Sequence, residues 1–101
     1  MSAKNIGITS QSATHSLDIT DSAVTNAPDL NRRTESVFLD VQGGDVYVSF
    51  GSTDPSASTP YGHILYDRKD YVFYAELFAS AKFISASGNV KIHVTELDGH
   101  A

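Results

Sequence analysis

Apolar and polar residues alternate along most of the chain, and this period of two predicts β-strands that each bury one face. In the stretch GDVYVSFGS, residues 44–52, the side chains of Val46, Val48 and Phe50 share one face. The segment YVFYAELF is long enough for a helix, but its aromatic and β-branched residues favour a strand. Further strands are predicted in HSLDIT, ESVFLDV, HILYD, KFISA and VKIHVTEL.

Short glycine-containing turns join two pairs of these strands. QGG lies between residues 36–41 and 45–50, and SGN lies between KFISA and VKIHVTEL, so each pair is predicted to form a β-hairpin. About eight short strands without a convincing helix are typical of a β-sandwich, a jelly roll or a small barrel. We therefore expect an all-β fold over residues 17–101, a single small antiparallel β-sandwich or jelly roll.

The first sixteen residues are polar and rich in serine and threonine. Their apolar residues Ile6 and Ile8 share one face of an extended chain, as a period of two requires. We interpret residues 1–16 as an N-terminal arm that pairs with a neighbouring subunit. A frayed terminus is the alternative.

The composition narrows the choice of partners. The chain has 101 residues, a usual size for one domain, and a net charge of -5, which disfavours binding to nucleic acid or to an anionic membrane. It contains no cysteine, which excludes disulfides and thiolate metal sites. No apolar stretch has the length of a signal peptide or a membrane span, so we expect the chain to be made in the cytoplasm and to leave it only by lysis or inside a particle.

Sequence signals for catalysis or metal binding are weak. The histidines lie far apart without a spacing such as H-x-H, so we interpret them as surface or rim residues. They are His15, His63, His93 and His100. Two pairs of carboxylates lie in a turn or near the end of the chain and are expected to face water: Asp67 with Asp70, and Glu96 with Asp98. No G-x-S-x-G motif and no phosphate-binding glycine loop occurs, so we expect neither an enzyme nor a cofactor.

Two features of the sequence suggest contacts with a partner. Arg32 and Arg33 are adjacent and can bind a phosphate or an acidic surface, although a solvated loop is the simpler interpretation. The five tyrosines can form a sugar-stacking platform, an interface patch or part of the core, and Tyr61 lies in the long polar loop. The candidate partner-binding residues are Ile6, Ile8, Arg32, Arg33 and Tyr61.

Residues 36–97 resemble small β-sandwich proteins of tailed bacteriophage virions. In that family, a strand of the form V-Y-V-x-F-G leads into a loop, and a segment of the form I-x-A-x-S-G-x-V-x-V-x-V-x-E ends the chain. The corresponding elements here are GGDVYVSFGS, STPYGHIL, YVFYAEL and KFISASGNVKIHVTEL.

The resemblance implies a structural virion protein, first of all a decoration or cement protein of the capsid. Such a protein binds the major capsid protein, or another virion protein, on the outer face of the head as a homo-oligomer, with a trimer favoured. A neck or tail accessory protein is the alternative within the same particle. A carbohydrate-binding module is an alternative of a different class, and a small hydrolase is disfavoured by the missing motifs.

Overall fold

The computed structural model describes residues 11–56 and 63–98. Within these residues the chain forms eight strands and one short helix. In chain order these are β1 (Gln11–Ile19), β2 (Thr25–Asn26), β3 (Ser36–Gln42), β4 (Val46–Phe50), β5 (His63–Leu65), β6 (Asp70–Tyr74), α1 (Ala75–Phe78), β7 (Ala81–Ser85) and β8 (Val90–Leu97).

The strands form two four-stranded antiparallel sheets, which we call sheet 1 (order β1-β8-β3-β6) and sheet 2 (order β2-β7-β4-β5). The pairs β1–β8, β2–β7, β3–β6 and β4–β5 are those of one long hairpin that folds over on itself. The pairs β3–β8 and β4–β7 then complete each sheet. This arrangement is a jelly roll, and it confirms the predicted small antiparallel β-sandwich.

Both predicted hairpins are wrong. β3 lies in sheet 1 and β4 in sheet 2, and β7 and β8 are divided between the sheets in the same way. The glycine turns therefore carry the chain from one sheet to the other. Gly43 has a φ of 107°, and a Cβ on it would lie 3.4 Å from the carbonyl oxygen of Asn89. The prediction failed because alternation shows which face of a strand is buried but not which strand lies beside it.

The predicted end of the N-terminal arm is also wrong. Residues 11–16, which were assigned to the arm, lie in β1 and pair with β8, with Ala13 opposite Glu96 and His15 opposite Val94. The inner face of this part of β1 carries alanine and histidine, so its alternation is weak in the sequence. Residues 1–10, with Ile6 and Ile8, lie outside the described residues.

The segment YVFYAELF is divided between two elements. Its first half is strand β6, as predicted, and its second half is the single helical turn α1. The amide of Ala75 donates a hydrogen bond to the carbonyl oxygen of Glu35 (3.0 Å), and the helix then turns Phe78 into the core. The Phe78 ring lies 6.5 Å from that of Phe73 and 5.9 Å from that of Phe83, measured between centroids.

The core lies between the two sheets and consists of the inward faces of the strands. The predicted faces of β3, β4 and β8 are confirmed, except that Phe50 is only half-buried. No helix among residues 11–56 and 63–98 is long and apolar enough to cross a membrane. The buried hydrophobic cluster contains Ile19, Val37, Leu39, Val41, Val46, Val48, Leu65, Phe78, Ala81, Phe83, Val90, Ile92 and Val94.

Candidate functional site

One edge of the sandwich carries every large hydrophobic side chain that is exposed within the described part of the chain. These side chains belong to β5, to the loop after it, to β6 and to α1. We call this surface the apolar edge: Ile64 (39% exposed), Tyr66 (53%), Val72 (37%), Tyr74 (80%) and Leu77 (44%).

The topology explains why these residues lie at the same edge of the sandwich, Ile64 on the outer side of sheet 2 and Val72 and Tyr74 on the outer side of sheet 1. β5 is the last strand of sheet 2 and β6 is the last strand of sheet 1, and only residues 66–69 separate them in the chain. Each edge strand leaves one row of backbone groups without a partner strand in its sheet. Along β6, Val72 and Tyr74 point away from the core while Tyr71 and Phe73 are half-buried. The apolar edge therefore combines exposed apolar side chains with two strand edges that pair with no further strand in the described part of the chain.

A layer of aromatic rings supports the apolar edge from behind. The ring of Phe73 lies 5.9 Å from that of Phe50 and 6.5 Å from that of Tyr71. The hydroxyl of Tyr71 accepts a hydrogen bond from the amide of Tyr66 (2.8 Å). These contacts hold the backbone of the edge in place, because packed rings leave little freedom at the positions between them.

Glu96 is a buried carboxylate at one end of the sandwich. Its side chain continues the inward face of Val90, Ile92 and Val94, and the residue is 1% exposed. The prediction that Glu96 faces water is therefore wrong. The alternation along β8 is the sequence signal that would have placed it inside, because it shares the period of the three apolar residues before it.

Three donors satisfy the Glu96 carboxylate. Oε1 accepts hydrogen bonds from the amide of Asn31 (2.7 Å) and the hydroxyl of Thr34 (2.6 Å), and Oε2 accepts one from Nε2 of His15 (2.5 Å). Burial alone raises the pKa of Glu96, but these hydrogen bonds and the charge of His15 outweigh it and lower the pKa below 4.5. His15 itself lies at the rim of the sandwich, with 27% of its side chain exposed.

The carboxylate of Glu96 holds residues 31–34, which we call the arginine turn, through its hydrogen bonds with Asn31 and Thr34. The amide of Thr34 donates to the carbonyl oxygen of Asn31 (3.1 Å), and the amide of Arg33 donates to Oδ1 of Asn31 (3.0 Å). Arg32 and Arg33 occupy the two central positions of this turn and are exposed. Neither guanidinium makes a hydrogen bond or an ion pair with another described residue. Together with Leu30 and Asn31, they line an open depression of about 700 Å³.

A second depression, of about 460 Å³, lies at the other end of sheet 1 and is polar. Its lining includes Asp40 and Arg68, and Arg68 has a φ of 63°, which is uncommon outside glycine. Asp67 also lines it and accepts a hydrogen bond from the amide of Gly43 (2.9 Å). Among residues 11–56 and 63–98, no group of three or more histidine and carboxylate side chains could hold a metal ion.

The sequence-predicted partner residues are only partly within the described structure. Arg32 and Arg33 lie together in the arginine turn, whereas Ile6, Ile8 and Tyr61 lie outside the described residues. The sequence analysis did not identify the apolar edge. Both faces of β6 carry apolar or aromatic side chains, so the sequence does not show which face points outward.

In comparisons with known proteins, no family model, no curated protein and no solved structure matches this chain. The class therefore follows from the fold and its surfaces. The chain is a small jelly-roll sandwich with an exposed apolar edge and, at one end of the sandwich, a turn that carries two arginines.

Proposed function

We propose that this chain is a structural protein of a tailed bacteriophage virion, which decorates the outer face of the capsid as a homo-oligomer. The apolar edge is the observation that carries the proposal. Scattered exposed hydrophobic residues are common on monomers, but here all the large ones among the described residues lie at one edge of the sandwich, and such a concentration marks an interaction site. The resemblance of residues 36–97 to virion proteins and the jelly-roll topology, which recurs in capsid proteins, support the setting.

The occupant of the apolar edge is a second copy of the same chain. None of its five exposed side chains is charged, so an equally apolar surface is its best match. The same edge on a neighbouring copy supplies such a surface, and closed rotational symmetry lets every copy bury it. We favour a trimer. Assembly also stabilises a chain of 101 residues that has no disulfide, because a partner that binds only the folded state shifts the folding equilibrium.

Sedimentation with phage particles that lack this chain tests the proposal. The purified chain is expected to elute as an oligomer in size-exclusion chromatography with light scattering, and to sediment with the particles to a saturating stoichiometry. Heads separated from tails distinguish capsid decoration from a neck or tail position. A chain that stays monomeric at high concentration and remains in the supernatant would contradict the proposal.

A carbohydrate-binding module is the second candidate, because jelly rolls also occur in lectins. The polar depression favours it: Asp40 and Arg68 offer hydrogen-bond acceptors and donors, and the exposed ring of Tyr66 lies in the same loop as Arg68. A glycan array separates the two functions. We expect no glycan to bind, and a signal that Tyr66→Ala abolishes would favour the carbohydrate-binding module.

A further inference from the structure

The burial of Glu96 requires an explanation beyond stability. A buried ion pair can lower the stability of a fold, because the free-energy cost of removing two charges from water can exceed their mutual attraction. An apolar residue at this inward position of β8 would continue the core of Val90, Ile92 and Val94. Instead, Oε1 of this carboxylate accepts hydrogen bonds from two groups of the arginine turn, the amide of Asn31 and the hydroxyl of Thr34.

These hydrogen bonds hold the arginine turn in one conformation. The two charged side chains of the turn have no ion-pair partner among the described residues. Lys82 and Lys91, by contrast, are paired with Asp54 (3.2 Å) and Asp18 (3.1 Å). Arg32 and Arg33 have no such partner among the described residues. A rigid backbone that presents two unpaired guanidiniums is already organised for binding, so less conformational entropy is lost when a ligand arrives.

We propose that the arginine turn is a docking site for carboxylates on the surface of a different protein. Guanidinium groups bind carboxylates through two parallel hydrogen bonds. Leu30 beside them adds an apolar contact, which suits a protein surface. Nucleic acid is the weaker match, because its binding depends on many phosphate contacts and the chain carries a net charge of -5.

The identity of this partner rests on the proposed function, in which it is a capsid protein. The apolar edge then joins copies of the chain to one another, and the arginine turn attaches the oligomer to the particle. The two surfaces use different side chains: those of the edge belong to β5, the loop after it, β6 and α1, whereas the turn lies between β2 and β3. They adjoin through the backbone in the described part of the chain, where the amide of Ala75 donates a hydrogen bond to the carbonyl oxygen of Glu35 (3.0 Å). Because Arg32 and Arg33 are not part of the edge, their substitution is expected to leave the oligomer intact.

The test compares two double variants with the same change of charge. Arg32→Glu with Arg33→Glu reverses the charge of the turn, and Lys82→Glu with Lys91→Glu reverses two basic residues on β7 and β8, outside both the apolar edge and the polar depression. We expect the first variant to sediment with particles at least about tenfold more weakly than the wild type, and the second to sediment normally. Raising the salt concentration is expected to weaken wild-type attachment.

A second pair of variants examines how the turn is held. Thr34→Val removes the hydroxyl that donates to Glu96, and Thr34→Ser keeps it. We expect Thr34→Val to weaken attachment to particles several-fold and Thr34→Ser to attach like the wild type. Arg32 and Arg33 are unchanged in both variants. Equal attachment of the two variants would contradict the role of Glu96 and Thr34 in positioning the arginines.

Three outcomes would overturn the docking site. The first is normal attachment of the Arg32→Glu, Arg33→Glu variant. The second is dissociation of its oligomer, which would make a second copy the occupant of the turn. The third is wild-type binding to a labelled DNA duplex that this variant loses, which would make the ligand a nucleic acid.

Failure of the proposed function is recognised separately, because the wild type would then not sediment with particles. In that case glutarate, a small dicarboxylate, serves as the probe in a titration followed by the arginine Nε–H resonances. The signals of Arg32 and Arg33 are expected to shift more than that of Arg68. Equal shifts of all three would overturn the docking site, whatever the particle experiment showed.

Discussion

His15 on β1 and Glu96 on β8 meet across the inner face of sheet 1, with Nε2 of the histidine 2.5 Å from Oε2 of the carboxylate. β1 is the edge strand of this sheet, and its backbone register shifts between Gln11 and Ala13, beside this pair. The side-chain contact therefore fastens the edge strand where the backbone pairing is irregular. It also holds a charge inside the sandwich, which makes the stability of the fold depend on pH.

The first prediction is that the protein loses stability in acid through Glu96. The folded state holds the pKa of this carboxyl below its ordinary value of 4.5, so the unfolded chain binds more protons between the two pKa values. The stabilisation is fully present above about pH 4.5 and disappears as the pH falls through the folded pKa. Urea denaturation from neutral to acidic pH measures it. Glu96→Gln is expected to flatten this dependence and to cost about 1–3 kcal/mol at neutral pH.

Asp18→Asn is the matched control for this experiment. Asp18 also pairs with a basic residue, Lys91, but its side chain is 79% exposed and the pair is screened by water. Its substitution is expected to leave the pH profile unchanged. A Glu96→Gln variant whose profile follows the wild type would show that other groups cause the loss of stability.

The second prediction concerns the helical turn α1, which joins the two halves of the core. Phe78 is fully buried against Phe73 and Phe83, so Phe78→Ala is expected to cost about 3–5 kcal/mol of unfolding free energy. The adjacent Leu77 is 44% exposed, and at a protein concentration where the chain is a monomer, Leu77→Ala is expected to change stability by less than about 0.5 kcal/mol. Chemical denaturation measures both, and equal losses would contradict the inward position of Phe78.

The third prediction compares two residues in one row across the outer face of sheet 1. Val72 on β6 lies opposite Phe38, Phe38 lies opposite Thr95, and Thr95 lies opposite Thr14 on β1. Val72 and Thr14 are both exposed and β-branched, and they occupy the two edge strands of the sheet. If the apolar edge joins copies of the chain, Val72→Lys dissociates the oligomer because it places a charge in an apolar interface.

Thr14→Lys introduces the same charge in the same row, outside the apolar edge. It is expected to keep the oligomer, and light scattering on the two variants and the wild type gives the comparison. Dissociation by Thr14→Lys alone would move the interface to the β1 edge. An unchanged mass for both variants would exclude the apolar edge as the contact between copies.

The fourth prediction tests the crossing between the two sheets. Gly43 has a φ of 107°, where a side chain is strained, and its added Cβ would approach the carbonyl oxygen of Asn89. Gly88 has a φ of 69°, close to the left-handed conformation that asparagine tolerates, and it faces open space. Gly43→Ala is therefore expected to cost about 1–3 kcal/mol, and Gly88→Asn much less, by thermal or urea denaturation. The reverse order would contradict the strained backbone conformation at Gly43.

The sequence predicted the sandwich and most of its buried faces for a simple physical reason. In β3, β4 and β8 every second residue is apolar, and the face that these residues share is inside. The same period extends to Glu96, where the rule that charged residues face water gave the wrong prediction. Its three hydrogen-bond donors come from β1 and from the arginine turn, far away in the sequence, so no local pattern could reveal that they satisfy a buried carboxylate.

Strand partners could not be predicted from the same pattern. A glycine turn between two alternating segments suits a hairpin within one sheet, and it equally suits a crossing between two sheets. The choice depends on long-range packing, here the pairing of β3 with β6 and β8. The apolar edge depends on this choice as well, because the pairing makes β5 and β6 the last strands of their sheets and so brings their outward side chains to one edge of the sandwich.

The last prediction concerns the N-terminal arm, which the structure limits to residues 1–10 because β1 begins at Gln11 among the described residues. Residues 11–16 belong to β1, so deleting residues 2–16 removes most of an edge strand together with His15, a partner of Glu96. This deletion is expected to lower the melting temperature sharply. Deleting only residues 2–10 keeps residues Gln11–Ile19 of β1, and we expect it to leave the melting temperature nearly unchanged. If Ile6 and Ile8 contact a neighbouring subunit, the shorter deletion weakens self-association or attachment to particles.

Light scattering measures self-association and co-sedimentation measures attachment, both on the same preparation. Ile6→Ser with Ile8→Ser is expected to reproduce the loss in the full-length chain. A shorter deletion that melts far below the wild type while it assembles normally would show that residues 2–10 stabilise their own domain rather than a contact between subunits.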